Sequence, residues 1–362
     1  MSTGGLFIPL VVYAAVLVVH LWVPTRAVAG YVIDPQSGAP LTYRINGLLT
    51  AAVVLLAWVI LCTLNLLSWE WLYLQRWWSL AGALMIGGLY TAWVVFRAPP
   101  TGKGLLTDIF LGRVDNIQYF NARVDAKMFL YLVGAIMLTL NVWSFTAFHV
   151  RQLDAINPGV ILHAALLTFF VFDYLIFERV HLYTYDLFAE KVGFKLGWGC
   201  LVFYPYFYAV GLWGTAHLPP TSLTTLYATP WLLFCGVLFT LGWCLTRGAN
   251  LQKYWFKRDP EHVFLGLFKP EVLVGGHQRL LCSGFWKIAR HVNYLGEILM
   301  ALGIALALGH PDSLWPWLYP LYYVALLGTR ERDDDRRCAE KYGPLWATYK
   351  QRVPFRIIPK IY

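Results

Sequence analysis

Charge is scarce in this chain. Only 14% of its 362 residues are Asp, Glu, Lys or Arg, against roughly a quarter in a soluble globular domain. That shortage, with 58% hydrophobic residues, excludes an ordinary soluble fold. Cysteine is sparse and scattered over positions 62, 200, 235, 244, 282 and 338, with no C-x-x-C. Neither a disulfide framework nor a metal site is expected from such spacing. No G-x-G-x-x-G and no Walker A sequence occurs, so any nucleotide pocket is of neither the Rossmann nor the P-loop kind. The first apolar block has no positive segment before it and no clear small-residue cleavage site. It reads as a retained helix and not as a signal peptide. Internal repeats and low-complexity stretches are also missing.

Long apolar blocks take their place. A membrane helix needs about 20 apolar residues, and the hydropathy pattern predicts spans at 7–23, 48–67, 79–96, 128–147, 159–177, 196–213, 225–244, 298–308 with its flanks, and 314–328. The expected fold class is therefore all-α, a polytopic integral membrane protein with about 9–10 transmembrane helices. The tenth is looked for in the weakly apolar region 260–300. The last two spans read as a hairpin joined by Gly-His-Pro-Asp-Ser.

The net charge of +9 falls in blocks. Arg97, Lys103, Arg113, Arg123 and Lys127 occupy one loop, and Arg247, Lys253, Lys257, Arg258, Lys269, Arg279, Lys287 and Arg290 another. The segment after Arg330 is also basic. Nine spans place all three blocks on one side, so the positive-inside rule puts the C-terminal tail in the cytoplasm and the N-terminus across the membrane. The blocks are topology signals first, and no nucleic-acid partner is expected.

Three polar segments stand out on that side. Ser283 to Glu297, SGFWKIARHVNYLGE, is rich in hydrogen-bonding groups. Lys287 and Arg290 suit a phosphate, Trp286 offers a stacking face, and Asn293 and Tyr294 suit an amide or a sugar. A basic juxtamembrane anchor explains Trp286 and Lys287 but not the His-x-Asn-Tyr-x-Gly-Glu run. In NLQKYWFKRDP, Lys253 and Lys257 are four apart and share a helical face. Plain positive-inside charge is the simpler account of that segment alone. In RERDDDRRCAEKYG, Arg330, Asp334, Cys338 and Tyr342 are each four apart on one face. They can grip a nucleotide, or belong to a solvated, salt-bridged helix. A phosphate-rich cofactor bound among the three segments fits better than three separate coincidences.

Two further sets lie in apolar surroundings. Asp173, Tyr174 and Glu178 fall at the end of a predicted span, with Tyr174 and Glu178 four apart, and ionisable groups there are functional candidates. Desolvation makes a carboxyl there a proton donor, although an interfacial cap is an equal alternative. Tyr204, Tyr206 and Tyr208 can line an apolar ligand channel or form an aromatic belt.

The run SGFWKIARHVNYLGE, the segment NLQKYWFK and the tail RERDDDRRCAEKYGPLWATYKQRVPFRIIPKIY together resemble the sterol reductases of the endoplasmic reticulum and their bacterial relatives. That family includes C14 and C7 sterol reductases, the fungal C24(28) reductase and the membrane half of the lamin B receptor. LTYRINGLL is similar to the family's early signature, and DYLIFERVHLYTYDL and LVFYPYFY to its Asp/Glu- and Tyr-rich segments. The resemblance implies NADPH-dependent reduction of a carbon–carbon double bond in a sterol taken from the lipid phase, at C14, C7 or side-chain C24. It implies an N-terminal sterol-side set of helices, 1–246, and a C-terminal cofactor region, 247–362, in one integrated membrane domain.

The cofactor residues so implied are Lys253, Lys257, Leu281, Trp286, Asn293, Arg330, Asp334, Cys338 and Tyr342, to which Arg290 is added as a phosphate-binding candidate. Tyr174 or Glu178 is assigned as the acid, with Tyr349 and Asp334 in support; Tyr204 and Tyr208 are assigned to the substrate. The setting implied is a bacterial inner membrane, or the endoplasmic reticulum in a eukaryote. Departures are Lys257 where the family usually has Arg, Gly296-Glu297 in place of Gly-Asp, and GRVDNIQYFNAR, which lacks the Glu, Leu and Pro of the family loop. Two alternatives are an S-adenosylmethionine-dependent isoprenylcysteine-type methyltransferase and a non-catalytic sterol-binding membrane protein.

Overall fold

The computed structural model describes residues 3–35, 37–154, 156–219 and 228–362. It is a predominantly α-helical chain that divides into two compact units, Met1–Pro219 and Pro220–Tyr362. Five described helices are long and apolar enough to cross a membrane: Thr3–Trp22, Arg76–Phe96, Ala126–Leu153, Pro158–Ile176 and Ala228–Arg258. Gly47–Thr63 and Val292–Ala307 are shorter apolar helices. The all-α membrane architecture expected from composition is therefore the one found.

In the first unit the main helices are α1 (Ile8–Trp22), α2 (Gly47–Thr63), α3 (Arg76–Phe96), α4 (Ala126–Leu153) and α5 (Pro158–Ile176). The central one is α4, whose apolar stretch is buried over most of its length. Its start is fixed by Asp125, which accepts from the backbone N–H groups of Lys127 and Met128, both at 3.1 Å, a capping arrangement that satisfies otherwise orphaned donors. Asn157 caps α5 in the same way, accepting from Gly159 N at 2.9 Å, and Pro158 occupies the first turn, where a missing N–H costs nothing.

Between α1 and α2 lies an antiparallel hairpin, β1 (Ala27–Ile33) and β2 (Pro40–Arg44). Beyond it, the Arg-x-Asn-Gly of LTYRINGLL ties three elements together. Arg44 donates to Val23 O at 2.7 Å and Asn46 to His20 O at 2.9 Å, which satisfies carbonyls at the end of α1. Gly47, the first residue of α2, donates its N–H to Glu178.

Two sequence expectations change here. The predicted span 196–213 is a π-helix, Phe194–Phe203, followed by the short helices Tyr204–Phe207 and Val210–Thr215. Pro205 supplies no N–H for a continuous ladder. Likewise α5 ends at Ile176, and Glu178 begins a separate short helix, Glu178–His181, so Tyr174 and Glu178 do not share one continuous helical face.

The second unit contains α6 (Ala228–Arg258), the hairpin strands β3 (Val272–Gly275) and β4 (Gln278–Leu281), and the helices α7 (Phe285–Ile288), α8 (Val292–Ala307), α9 (Leu314–Tyr342) and α10 (Pro344–Arg352). At 31 residues, α6 is roughly 45 Å long, beyond the ~30 Å of a hydrocarbon core. Its last turns, with Lys253, Lys257 and Arg258, thus extend past its apolar part. The most extensive helix contact in this unit is α6 against α8. Small residues allow it: a Cβ at Gly242 would lie 2.5 Å from Gly296 O, and one at Gly303 2.8 Å from Cys235 O.

No helix of membrane-spanning length lies within region 260–300, whose end holds only the four-residue α7 and the start of α8. The centre of the region is the β3–β4 hairpin, turned by Gly276 with φ +60°, a conformation that favours glycine in a two-residue hairpin turn. The first three residues of the predicted span 225–244 lie outside the described residues, which resume at Ala228.

Candidate functional site

Helix α9 is unbroken from Leu314 to Tyr342, so Arg330, Asp334, Cys338 and Tyr342 do fall on one face. Asp334 is the point where that face meets α8. Tyr294 Oη donates to Asp334 Oδ2 at 2.6 Å, a short, charge-assisted bond. The His291 ring stacks on Tyr294, with centroids 5.0 Å apart and planes 15° apart, and its Nδ1 lies 3.9 Å from the same carboxylate oxygen.

Burial pushes the His291 pKa down to about 3, and the charges of Lys253 and Arg290 act in the same direction. The imidazole is therefore neutral at pH 7, and its approach to Asp334 is dipolar, not an ion pair. Burial also pushes Asp334 upward, opposed by the Tyr294 hydrogen bond and by the charges of Lys253 and Arg330. The site is thus a buried carboxyl held by a phenol and faced by Arg330 and by the amine of Lys253, itself pushed down by burial.

Trp286 forms a second wall. Lys253 Nζ lies 5.2 Å from the centroid of its ring, within cation–π range. The indole is fixed because Nε1 donates to Ala249 O at 3.0 Å, one turn before Lys253 on α6. The turn that delivers Trp286 is held by Gln252, which accepts from Phe285 N at 3.0 Å and donates to Ser283 O at 3.1 Å. Gly284 has φ +59°, and a Cβ there would sit 3.0 Å from the Gln252 carboxamide carbon. Gln252 lies inside NLQKYWFK, but its role depends on a partner 33 residues away and carries no local signal.

Asn293 is half-buried on the first turn of α8. Its backbone carbonyl accepts from Thr246 Oγ1 at 2.9 Å. Its side-chain Oδ1, and the Nε2 of His291, are buried without a hydrogen-bond partner. Orphaned buried polar atoms are costly, and these two suit a ligand amide or hydroxyl.

The remaining sequence-selected residues take distinct places. Leu281 ends β4, buried beside Cys282. Lys257 is half-buried one turn beyond Lys253. Cys338 and Tyr342 pack against a buried cluster of Cys282, Trp346, Tyr349 and Val353. Burial, reinforced by Asp334, pushes the Cys338 thiol up to about 11, so it is a neutral packing group at pH 7. Tyr349 belongs to that cluster. It stacks on Trp346 at 5.0 Å, and its hydroxyl reaches Trp286 O at 3.4 Å; burial raises its pKa. Arg290 is 5% exposed, and its NH1 donates to Val353 O and Pro354 O, both at 3.0 Å. That nitrogen is committed to the tail.

Tyr174, Glu178, Tyr204 and Tyr208 all belong to the first unit. Glu178 is 4% exposed and accepts from Gly47 N at 3.1 Å. Burial pushes its pKa up to about 7, and that hydrogen bond opposes the rise. Tyr174 stacks on His181, with centroids 3.9 Å apart, and its hydroxyl is buried without a hydrogen-bond partner. Tyr204 and Tyr208 meet edge to face at 4.7 Å. No group of three or more His, Cys, Asp or Glu able to hold a metal occurs among the described residues.

The model of the ergosterol biosynthesis ERG4/ERG24 family matches residues 4–362. The chain belongs to this family. Among curated relatives, a Delta(14)-sterol reductase of Arabidopsis thaliana is 33% identical over 354 residues, covering 94% of this chain and 91% of its own. A Delta(14)-sterol reductase of the bacterium Methylotuvimicrobium alcaliphilum is 32% identical over 359 residues, covering 95% and 80%. A third relative, Delta(14)-sterol reductase TM7SF2 of Mus musculus, is 33% identical over 258 residues, covering 70% and 59%. The motifs that carry the resemblance in the sequence thus belong to an ERG4/ERG24 chain, and the site on α6, α8 and α9 is part of the matched region.

Proposed function

We propose that this protein reduces a carbon–carbon double bond of a sterol, with the C14 double bond preferred, using NADPH. The near full-length similarity to Delta(14)-sterol reductases from a plant and a bacterium carries the substrate class. The cofactor follows from the chemistry of the second unit. Trp286 with Lys253 offers a stacking face beside an amine, Asn293 Oδ1 and His291 Nε2 are polar atoms in need of partners, and Arg330 supplies charge for a phosphate, with Lys257, whose pKa burial pushes down to about 6, taking up its proton when a phosphate is bound. A 2′-phosphate calls for such a cation, which favours NADPH over NADH. Bound there, the nicotinamide supplies the hydride.

The chain's own residues do the rest. An isolated alkene accepts hydride only after protonation, so an acid must deliver a proton to one alkene carbon while hydride goes to the other. Tyr174 is our first choice for that acid, because its buried hydroxyl has no competing hydrogen-bond partner. Glu178, with its pKa near 7, is the second. Asp334, gripped by Tyr294, orients the cofactor among the cations. Tyr349 supports Trp286 from behind, and Tyr204 and Tyr208 shape the sterol side. Apolar walls keep water from the cationic carbon. The sterol comes from the lipid phase, and the cofactor from the cytoplasmic side on which the basic segments fall, in a bacterial inner membrane or in the endoplasmic reticulum of a eukaryote.

The test is to incubate the purified protein with a panel of sterols unsaturated at C14, C7 or C24, with NADPH or NADH, and to read products by mass spectrometry. The expected result is a gain of two hydrogens on the C14-unsaturated sterol, faster with NADPH. Binding of sterol without reduction of any member would favour a non-catalytic role, and methyl transfer from S-adenosylmethionine a different chemistry.

A further inference from the structure

The segment after α10 runs back along the candidate cofactor site, where six hydrogen bonds fasten it. Arg290 N donates to Phe355 O at 2.9 Å, and His291 N to Arg356 O at 2.8 Å. The Arg290 side chain holds the carbonyls of Val353 and Pro354. From the other side, Arg356 NH1 donates to Glu331 Oε2 at 3.2 Å, and Tyr362 Oη approaches the same oxygen at 3.4 Å. Glu331 is fully buried, one residue after Arg330 on α9. Arg290 and His291 immediately precede the first turn of α8, which bears Asn293 and Tyr294.

Both segments gripped by the tail therefore carry cofactor-site residues, and the tail joins them. A buried carboxylate such as Glu331 is costly without a cation, and its Oε1 has no partner. Stability alone is a poor reason to keep it there. We propose that residues 353–356 act as a strap, with Arg356, Glu331 and Arg290 as positioning residues that set the spacing between the start of α8 and Asp334 on α9. In this account Arg290 does not bind phosphate. The proposal rests on the cofactor reading of this site, and it makes a structural prediction that holds without any cofactor.

The experiment compares the native full chain with Arg356→Gln and Arg356→Lys. The first readout is hydrogen exchange of the unliganded protein over residues 289–295. The second is KM for NADPH against kcat. Arg356 is partly exposed and Tyr362 remains on Glu331, so the variant should stay folded with a lowered melting temperature, and exchange elsewhere in the chain reports whether the loosening is confined to the strap. Arg356→Gln should speed exchange in that segment and raise KM about tenfold, the usual consequence of losing a charged hydrogen bond, with kcat within about twofold at saturation. Arg356→Lys, which keeps the charge, should restore most of both. Native exchange with unchanged KM in Arg356→Gln would overturn the strap. Faster exchange in a protein that uses no NADPH at all would leave the strap standing and remove the cofactor reading.

Discussion

Glu178 in the first unit and Asp334 in the second are both buried carboxyls pushed upward by desolvation, yet they sit among opposite kinds of neighbour. Glu178 faces a backbone amide at the start of a helix, and its pKa rests near 7. Asp334 faces a phenol donor with Lys253 and Arg330 in reach, all of which favour its charged form. Burial alone thus does not assign a role. The first environment suits a group that carries a proton near neutral pH, and the second a fixed anion that orients other groups.

Substitutions can break that contrast. The largest effect is expected at Tyr174. If its hydroxyl is the acid, Tyr174→Phe keeps the ring stacked on His181 and slows sterol reduction by roughly 10²–10⁴-fold, with NADPH affinity unchanged. Steady-state kinetics with direct NADPH binding would decide this; a near-native rate would move the assignment to Glu178.

A smaller effect is expected at Tyr294. Tyr294→Phe removes the 2.6 Å bond to Asp334 and should raise KM for NADPH about tenfold. It should also move the pH dependence of binding upward, because the carboxyl loses a donor that favours its charged form. A KM and pH profile matching the native protein would mean that Asp334 is held by its cations alone.

The smallest effect concerns stability. Glu178 has its pKa raised from 4.5 to about 7 on folding, so the fold favours its neutral form. Its contribution is present below pH 4.5 and is lost as pH rises through about 7. Glu178→Gln stays neutral throughout. Its melting temperature relative to the native protein should therefore climb across that window and level off above it. A pH-independent difference would mean that folding leaves the Glu178 pKa unshifted.

Much of this was legible in the sequence, for physical reasons that also mark where the reading stopped. Hydropathy finds a helix such as α4 or α5 because its apolar residues run unbroken for the thickness of a bilayer. The same rule misread 196–213, where Pro205 and a π-helix replace a regular span, and it said nothing of the β3–β4 hairpin despite the glycine turn in VLVGGHQRLL. The row Arg330, Asp334, Cys338, Tyr342 could be read because α9 is continuous. Tyr174 and Glu178 could not be related by the same spacing, because α5 ends between them. Arg290 shows the deeper limit. A basic residue beside Trp286 and Asn293 looks like a phosphate ligand, but its carbonyl partners lie 63 and 64 residues away, and only the folded chain reveals them.

The central claim is a reduction in which the protein supplies the proton and NADPH the hydride. The most direct measurement is reduction of a C14-unsaturated sterol by the purified protein with NADPH deuterated at the transferring position, in ordinary water, and then with ordinary NADPH in deuterium oxide. Mass spectrometry should find one deuterium in the product of each experiment, at adjacent ring carbons. Two deuteriums from the solvent and none from the cofactor, or no reduced product, would contradict the account.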